Sequence, residues 1–456
     1  MTRTIDADYL VIGGGAAAMA FTDALIDHTD ARVVMVDRRH SVGGHWLAAY
    51  PFVRLHQASV FYGVASTLLG GRLQQSGPER GLQERASQPE IVAYYARVLE
   101  RMVEAGRVEF CPNSEFVGQR TVVSHVSGRR FRVPDSCRIV DARYLAPGIP
   151  AEMPPPFEVV EGSRVLTSND LARLEEAPSR YVVVGSGKTA TDSCIWLLER
   201  GVDADAICWV RPRDPWMLNR ALVQPEPSIF LGMAADVMQA AAEADSLDGL
   251  FLQLEERGVM LRIDRSVTPT MAKAPTLATW ELDHLRTIED VVRRGRIRAV
   301  DRGRLHFADG AVNLPDDTLV VHCAADGLKN PPLVPVWAPD AITLQPIRAG
   351  FPCFGAALVG YVEATRADDA EKNRICAPSS YGNSLAEWAR MNLLGTRSSM
   401  TFSAEPDIKA WADTVALNPA RVSTDHPGSP ALDDARERLS AHSGPALARL
   451  AELSVG

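Results

Sequence analysis

Tyr9-Leu10-Val11-Ile12-Gly13-Gly14-Gly15-Ala16-Ala17-Ala18 is the stretch of sequence that decides the fold. Its first four residues are a short apolar run typical of a strand, and the glycines lead into a helix-favouring segment that reaches Ile26. A second apolar run, Arg32 to Val36, follows the helix and is closed by Asp37. The order strand, glycine turn, helix, strand and acid is that of a βαβ unit that binds a dinucleotide.

Each position of this unit has a mechanical reason. Gly13 allows the tight turn, Gly15 lets the backbone approach a pyrophosphate, and Ala18 is small enough for close packing of helix on strand. The helix N-terminus offers free N–H groups to the phosphates. Asp37, with Arg38 beside it, follows about 24 positions after Gly13, where a carboxylate accepts hydrogen bonds from ribose hydroxyls. The alternative is a glycine-rich turn that holds no ligand.

A second unit of the same kind begins at Tyr181. The apolar run Val182 to Val184 leads into a glycine turn and a helix from Thr191 to Arg200, and a further strand ends at Val210. The candidate cofactor contacts of this turn are Gly185, Gly187, Lys188, Thr189 and Ala190. The run Gly187-Lys188-Thr189 also invites comparison with a P-loop, but Val182 stands where that motif requires glycine, which argues against an ATPase.

Two arginines follow the second strand of this second unit. Arg211 ends the strand and Arg213 lies close by, where a protein that prefers NADH would place an acid. Guanidinium groups suit the 2′-phosphate of NADPH because they bind phosphate bidentately. The sequence therefore predicts NADPH at the second site. The alternative is that both arginines are merely exposed side chains after a strand.

Composition narrows the class of protein. The chain has 456 residues with a net charge of −9, and it shows no basic stripe, which argues against nucleic-acid binding. No apolar run approaches the roughly 18 residues of a membrane span, and the polar N-terminus leaves no room for a signal peptide. We therefore expect a cytoplasmic protein with no membrane contact.

The cysteines and the other metal-ligating residues point to no metal site. The seven cysteines are dispersed, with no CxxC pair, which suits reduced thiols and gives no zinc site. Their spacing also lacks the redox pair that a disulfide reductase needs. We expect no metal.

Two segments after the first unit carry a family resemblance. Gly43-Gly44-His45-Trp46 and Tyr50-Pro51-Phe52-Val53-Arg54 resemble the GGxW and YPxxR segments of flavin-dependent monooxygenases of the FMO, Baeyer–Villiger and N-hydroxylating types. The resemblance implies FAD in the first site, with Gly44 and Trp46 among its contacts. The segment Ile139 to Gly148 is similar to the family's "ATG" segment, with Pro147 in place of Thr, and Ala325-Asp326-Gly327 stands where a second one is expected.

The resemblance, together with the two glycine units, predicts an α/β fold made of two Rossmann-like, three-layer dinucleotide-binding domains. The second domain is expected to be inserted in the first. We assign residues 1–150 to the first part of the FAD domain and 157–314 to the NADPH domain, with a helical insertion at 215–258. Residues 315–456 are then the second part of the FAD domain with a helical tail.

The same resemblance implies a two-step reaction. NADPH reduces FAD, and the reduced flavin reacts with O₂ to form a C4a-(hydro)peroxyflavin, which oxygenates a small nucleophile such as an amine, sulfide or ketone. His56, Gln57 and Arg54 are the candidate catalytic residues because they lie in or just after the YPxxR-like segment. His56 is equally compatible with a structural role, and Arg54 with an ion pair. No clear FxGxxxHxxx(W/D) signature marks Baeyer–Villiger activity specifically.

Three functions remain open at this point. The first is the NADPH-dependent FAD monooxygenase, and the second is a flavin-dependent NAD(P)H oxidoreductase that does not oxygenate. The third is a catalytically silent nucleotide-binding protein that acts as a redox sensor. The expected partners are a small-molecule substrate and O₂, with a homodimer as a possible assembly.

Overall fold

The computed structural model describes residues 3–325 and 331–455, in which two five-stranded parallel sheets form the frame. The first sheet has the spatial order Ile342–Thr343, Arg138–Asp141, Tyr9–Ile12, Val33–Val36 and Val108–Cys111. The helix Ala16–Asp27 follows the first glycine turn and is buried along most of its length. Because the carboxyl ends of these strands meet at one edge, the glycine turn lies at that edge.

A second helix, Pro352–Thr365, packs closely on Ala16–Asp27. Gly360 makes this possible, because a Cβ atom at that position would lie only 2.5 Å from the backbone oxygen of Phe21. Two helices that cross this closely need a residue without a side chain at the contact. Pro352–Thr365 comes after the second domain in the sequence. The chain therefore returns to the first domain after it has formed the second.

The second parallel sheet has the order Arg164–Thr167, Thr318–His322, Arg180–Val184, Ile207–Val210 and Val291–Val292. The last strand of the first sheet, Ile342–Thr343, comes after all of these, so the second domain is inserted in the first. The predicted α/β class and the insertion are confirmed.

The domain boundary that we placed between residues 314 and 315 is wrong. Thr318–His322 pairs with Arg164–Thr167 on one side and with Arg180–Val184 on the other, in the middle of the second sheet. A short, fully buried apolar strand fits either parallel sheet, so its sequence does not tell which sheet it joins. The second domain therefore extends through residue 322.

Three antiparallel or mixed sheets complete the two domains. The sheet of the first domain is made of Arg3–Thr4, Arg130–Arg132, Thr121–Ser124 and Ser114–Phe116. Two sheets of the second domain have the orders Gly310–Asn313, Arg304–Phe307, Ala299–Asp301, Glu158–Val159 and Met260–Arg262, Pro215–Asn219, Met271–Leu277. The neighbouring strand Val108–Cys111 belongs instead to the first parallel sheet, where it pairs with Val33–Val36.

The insertion at 215–258 begins with the strand Pro215–Asn219 and continues as two helices, Pro227–Glu243 and Leu247–Glu256. The C-terminal helix Pro430–Leu453 packs along Pro227–Glu243 and is tied to it by a 2.6 Å ion pair between Arg438 and Asp236. The remaining α-helices are Gln88–Glu104, Ser168–Leu171, Lys188–Glu199, Thr279–Arg286, Asp369–Ile375, Leu385–Ser403 and Pro406–Thr414.

Asp326 and Gly327, which we compared with a second "ATG" segment, lie outside the described residues. Across 3–325 and 331–455, none of the helices combines the length and the apolar composition that crossing a bilayer requires.

Candidate active site at the domain junction

The first glycine turn is closed by the acid that follows the second strand. Gly13 has a φ of 106°, a left-handed conformation that favours glycine. Oδ2 of Asp37 accepts a hydrogen bond of 2.5 Å from the Gly14 N–H, and Oδ1 accepts one of 2.7 Å from the Arg39 N–H. Asp37 is 6% exposed. The carboxylate thus fixes the shape of the turn at the place where we predicted a ribose contact.

The Gly43-Gly44 segment lies directly against this turn. The Gly43 N–H donates to the Gly14 oxygen over 2.8 Å. A Cβ atom at Gly44, whose φ is 58°, would lie 3.0 Å from the Cα atom of Gly15, whereas a Cβ atom at Gly15 would meet only Gly44 Cα, at 3.7 Å. Gly44 is therefore required for packing. Packing does not require glycine at position 15. Its Cα atom, which carries no side chain, therefore leaves room for a pyrophosphate.

The other predicted contacts of the first site differ in exposure. Ala18 is fully buried under the sheet, as close packing requires. The Arg38 side chain is 63% exposed and lies 3.6 Å from Glu152. Trp46 is buried, and its indole N–H donates to the hydroxyl oxygen of Tyr62 over 2.6 Å. The indole N–H of Trp46 is thus already bonded within the protein, and only the aromatic ring is available to a ligand.

The second glycine turn is also tightly built. Gly185 has a φ of 135°, and a Cβ atom there would lie 3.3 Å from the Cys323 oxygen. The indole N–H of Trp209 donates to the Gly185 oxygen over 2.8 Å, and Ala190 is fully buried. The Ser186 hydroxyl is buried and has no hydrogen-bond partner in residues 3–325 and 331–455. A buried hydroxyl without a partner is costly, so it fits a position that a ligand phosphate satisfies. Gly187 caps the helix Lys188–Glu199.

Lys188 and its neighbours connect the two domains. The Lys188 ammonium forms an ion pair with Asp192, and the Tyr50 hydroxyl of the first domain donates to the same carboxylate over 2.7 Å. Burial lowers the pKa of Lys188, an effect that Asp192 opposes. Thr189 lies near the Tyr50 hydroxyl as well. Lys188 is one of the predicted cofactor contacts, and in the structure its charge is matched by the Asp192 carboxylate.

Arg211, the first of the two predicted arginines, is buried where its strand ends. Its side chain is 2% exposed, lies 4.6 Å over the Trp209 ring and pairs with Asp214 at 3.3 Å. Asp214 also receives Arg293, at 2.9 Å. The Nε and Nη1 atoms of Arg211 are buried and have no hydrogen-bond partner among the described residues, so its predicted contact with the 2′-phosphate stays a prediction. Arg213, two residues on, is exposed and is the better candidate for a phosphate contact.

His56 lies where the two domains meet. Its backbone oxygen accepts hydrogen bonds from the Thr276 hydroxyl and, over 3.2 Å, from Nε of Arg220, both in the second domain. Its Nδ1 atom is buried and has no hydrogen-bond partner in the part of the chain that the structure describes. Burial lowers the pKa of His56 to about 3, and the nearby charges of Lys188, Arg220 and Arg85 add to the effect. The imidazole is therefore neutral near pH 7, with one ring nitrogen unused. Gln57, next to it, is 4% exposed.

Arg54 is not part of this junction. Its side chain is exposed and donates to the Arg85 oxygen over 3.1 Å. It lines an open cleft of about 830 Å³ whose wall contains neither His56 nor Gln57. The structure therefore does not bring Arg54 together with His56 and Gln57, and its catalytic role stays a prediction.

Sequence reasoning missed a buried charge cluster beside His56. Arg220 is 1% exposed and pairs with Glu79 and, at 2.6 Å, with Glu281. Arg85 pairs with Glu79 at 3.0 Å and lies 3.8 Å from Glu281. These four residues belong to no motif. The nearest sequence signal is the YPxxR-like segment. It begins at Tyr50 and contains none of the four residues.

The low pKa of His56 predicts a loss of stability in acid. The unfolded chain takes up a proton at His56 near pH 6.5, whereas the folded chain does so only near pH 3. The unfolded state thus binds more protons between these values, and the free energy of unfolding falls as the pH drops below 6.5. His56→Asn should make this fall smaller, as measured by denaturant unfolding at pH 7.5 and at pH 5.

The exposed His40 gives the control for this prediction. His40→Asn should leave the pH dependence of unfolding as it is in the unmodified protein. Burial also lowers the pKa of His45, to about 4. Part of the pH dependence of unfolding should therefore remain in the His56 variant. The same pH dependence in His56→Asn and in the unmodified protein would contradict the assignment.

Comparison with protein families adds to this geometry. Residues 7–270 match the family model described as pyridine nucleotide-disulphide oxidoreductase. Two curated relatives, both named "uncharacterized protein", come from Mycobacterium tuberculosis and Mycobacterium bovis. Each is 40% identical over 421 residues, which cover 91% of this chain and 78% of the relative.

Solved structures with a similar fold include cyclohexanone monooxygenase with bound ε-caprolactone. That structure is 14% identical, has a TM-score of 0.50 and covers 88% of this chain and 98% of its own. Cyclohexanone monooxygenase from Rhodococcus sp. Phi1 bound to NADP+ is 13% identical, with a TM-score of 0.47 and 98% coverage of both chains.

The first of these likenesses confirms the predicted α/β fold. The family model covers more than half of the residues and spans both glycine turns. The chain belongs to the pyridine nucleotide-disulphide oxidoreductase family and is an oxidoreductase enzyme.

Proposed function

We propose that this enzyme is an NADPH-dependent FAD monooxygenase that oxygenates a small nucleophile, such as an amine, a sulfide or a ketone. The observation that carries the proposal is the junction between the two glycine turns. There the first domain places the neutral His56, with a ring nitrogen unused, close to Lys188 at the start of the second nucleotide-binding helix.

The first glycine turn and its helix would hold FAD, and the second turn would hold NADPH. Gly13 and Gly15 give the pyrophosphate of FAD room, while the buried hydroxyl of Ser186 has no hydrogen-bond partner among the residues that the structure describes. FAD, when bound, supplies the chemistry that accepts hydride and reacts with O₂. The protein supplies orientation and the exclusion of water. The exposed Arg213 is suited to the 2′-phosphate of NADPH.

His56 and Gln57 are suited to guide oxygen transfer rather than hydride transfer. A neutral imidazole can donate a hydrogen bond from one nitrogen and accept one at the other. Such a group can hold a proton at the reacting oxygen without adding a charge to the buried site. The low pKa of His56 keeps it in this state throughout the neutral range. An amide at Gln57 adds a second group with both capacities.

The cysteines argue against disulfide reduction as the reaction. The six cysteines other than Cys111 are free thiols, and all of them are buried. Burial raises the pKa of Cys323 and of Cys353 to about 11, so both stay protonated near neutral pH, and the thiolate is the reactive form of cysteine. Without an accessible pair of thiols, O₂ is the better candidate acceptor for electrons.

The test of the proposed function is the fate of electrons from NADPH in air. His56→Ala and Gln57→Ala should release more hydrogen peroxide per NADPH consumed, with anaerobic flavin reduction nearly unchanged. The expected rise is about tenfold, since a lost hydrogen bond at a reacting atom commonly has an effect of that size or larger. Peroxide and product are measured together with a panel of one amine, one sulfide and one ketone.

The outcomes separate the three candidate functions. Product from any member of the panel supports the monooxygenase. Rapid flavin reduction by NADPH with complete conversion to peroxide, and no product, supports an oxidoreductase that does not oxygenate. Failure of NADPH to reduce the bound flavin supports a silent redox sensor. Unchanged coupling in both variants would remove His56 and Gln57 from the mechanism.

A further inference from the structure

Arg220 is the centre of a buried contact between the two domains. Its side chain is 1% exposed, and every nitrogen of its guanidinium has an acceptor. Nη1 donates to Glu79 of the first domain, and Nη2 donates to Glu281 of the second, over 2.6 Å. Nε donates to the His56 oxygen over 3.2 Å and to the Thr276 hydroxyl over 3.1 Å.

The charges of this cluster balance. Arg220 and Arg85 carry two positive charges, and Glu79 and Glu281 carry two negative ones. Burial alone would raise the pKa of Glu79, but the two arginines prevail and lower it to about 2. The Trp280 indole N–H also donates to Glu79, over 3.1 Å. All four groups are therefore charged near neutral pH and well provided with partners.

A buried ion network of this kind is a weak explanation of stability by itself. Moving two charges out of water costs free energy, and their mutual attraction often does not offset this cost. Apolar residues frequently replace such networks without loss of stability. The arrangement does give directionality, because a guanidinium fixed by two carboxylates leaves Nε aimed in one direction. Here Nε is aimed at the backbone oxygen of His56 and at the Thr276 hydroxyl, which itself donates to the same oxygen.

We propose that Arg220 is a positioning residue, which holds the His56–Gln57 segment in place through the backbone oxygen of His56. The proposal rests on the proposed function, because it assigns the segment a role at the reacting centre. Glu79 of the first domain and Glu281 of the second both bind Arg220. His56 is therefore placed correctly only when the two domains are docked correctly.

The main test variant is the pair Arg220→Met and Glu281→Gln in one chain. This double variant removes one charge of each sign and leaves the Glu79–Arg85 pair intact, so no charge is left without a partner. Arg220→Lys is the conservative variant, which keeps the positive charge but loses the planar fork and its Nε. Arg257→Met is the matched control, because it removes an ion pair with Glu243 elsewhere in the same insertion.

Each variant is purified as the holoenzyme with FAD and studied with NADPH and air. We expect the double variant and Arg220→Lys to release peroxide about tenfold faster than the unmodified enzyme, since small displacements of a reacting group have effects of at least that size. Anaerobic flavin reduction by NADPH should stay within about twofold, because the variants leave both glycine turns unchanged. Arg257→Met should change neither quantity.

A double-mutant cycle with His56→Ala separates positioning from stability. If Arg220 acts through His56, the Arg220 variants should change peroxide release little in a His56→Ala background. A purely structural role for Arg220 predicts that the two effects multiply instead. Multiplying effects, or wild-type peroxide release in Arg220→Lys, would overturn the proposal.

The visible spectrum of the oxidised flavin keeps the two proposals distinguishable. This spectrum reports the flavin surroundings and needs no oxygenation. If the unmodified enzyme makes only peroxide, the proposed function fails, but a spectral shift in Arg220→Lys that His56→Ala abolishes still supports positioning. No spectral shift in any Arg220 variant, together with normal coupling, would overturn positioning while the monooxygenase stands.

Discussion

Gly15→Val should give a folded protein that retains no FAD. The Gly15 backbone is extended, with a φ of −83°, so any residue can adopt it. A Cβ atom there meets only Gly44 Cα, at 3.7 Å, and the folded chain therefore accommodates it. An isopropyl group would, however, occupy the space where a pyrophosphate approaches the backbone. The measurement is the ratio of flavin to protein absorbance after purification and after reconstitution with FAD.

Two other glycines provide the controls for this variant. Gly232→Ala lies in a helix, where a Cβ atom meets nothing within 4 Å, and it should keep its full content of FAD. Gly44→Ala should instead lower the thermal midpoint, because its Cβ atom would lie 3.0 Å from Gly15 Cα at a φ of 58°. A Gly15→Val protein that holds stoichiometric FAD would refute the assignment of the first site.

Arg213→Ala should weaken NADPH binding and leave NADH nearly unaffected. Arg213 is exposed after the second strand of the second unit, where a guanidinium can reach a 2′-phosphate. Losing one charge-assisted contact typically costs about 1.5–3 kcal/mol, or roughly ten- to a hundredfold in affinity. The comparison is made by anaerobic stopped-flow reduction of the flavin over a range of NADPH and NADH concentrations.

Arg211→Ala is the informative counterpart of this variant. Arg211 is buried between Trp209 and Asp214, so its loss should lower stability and leave the preference for NADPH over NADH unchanged. A loss of preference in Arg211→Ala, without one in Arg213→Ala, would assign the phosphate contact to Arg211 instead of Arg213. Equal reduction of the unmodified enzyme by both nicotinamides would refute NADPH selectivity altogether.

Local sequence predicted the two nucleotide-binding units well. In each unit a strand, a glycine turn and a helix lie within about 30 residues, so neighbouring positions determine the geometry. The left-handed φ values at Gly13 and Gly185 fall where the motif requires glycine. The helical character of the insertion was also predictable, because Pro227–Glu243 and Leu247–Glu256 carry apolar residues at helical spacing.

Features that depend on distant contacts were not predictable. The strand Thr318–His322 joins the second sheet between Arg164–Thr167 and Arg180–Val184, a choice set by tertiary packing. Arg220 meets Glu79, which is 141 positions away in the chain, and no spacing rule joins them. Whether an arginine such as Arg211 is buried or exposed likewise depends on which elements cover it.

The insertion of one domain in the other has a consequence for the order of folding during synthesis. The strand Arg138–Asp141 gains its outer neighbour, Ile342–Thr343, only after the whole second domain has left the ribosome. Until then the first sheet has an open edge, and such edges pair readily with other chains. The second sheet draws all its strands from residues 164–322, so this contiguous segment can fold before the first domain closes. The middle of the sequence can therefore complete its fold before the two outer parts join to complete the first domain.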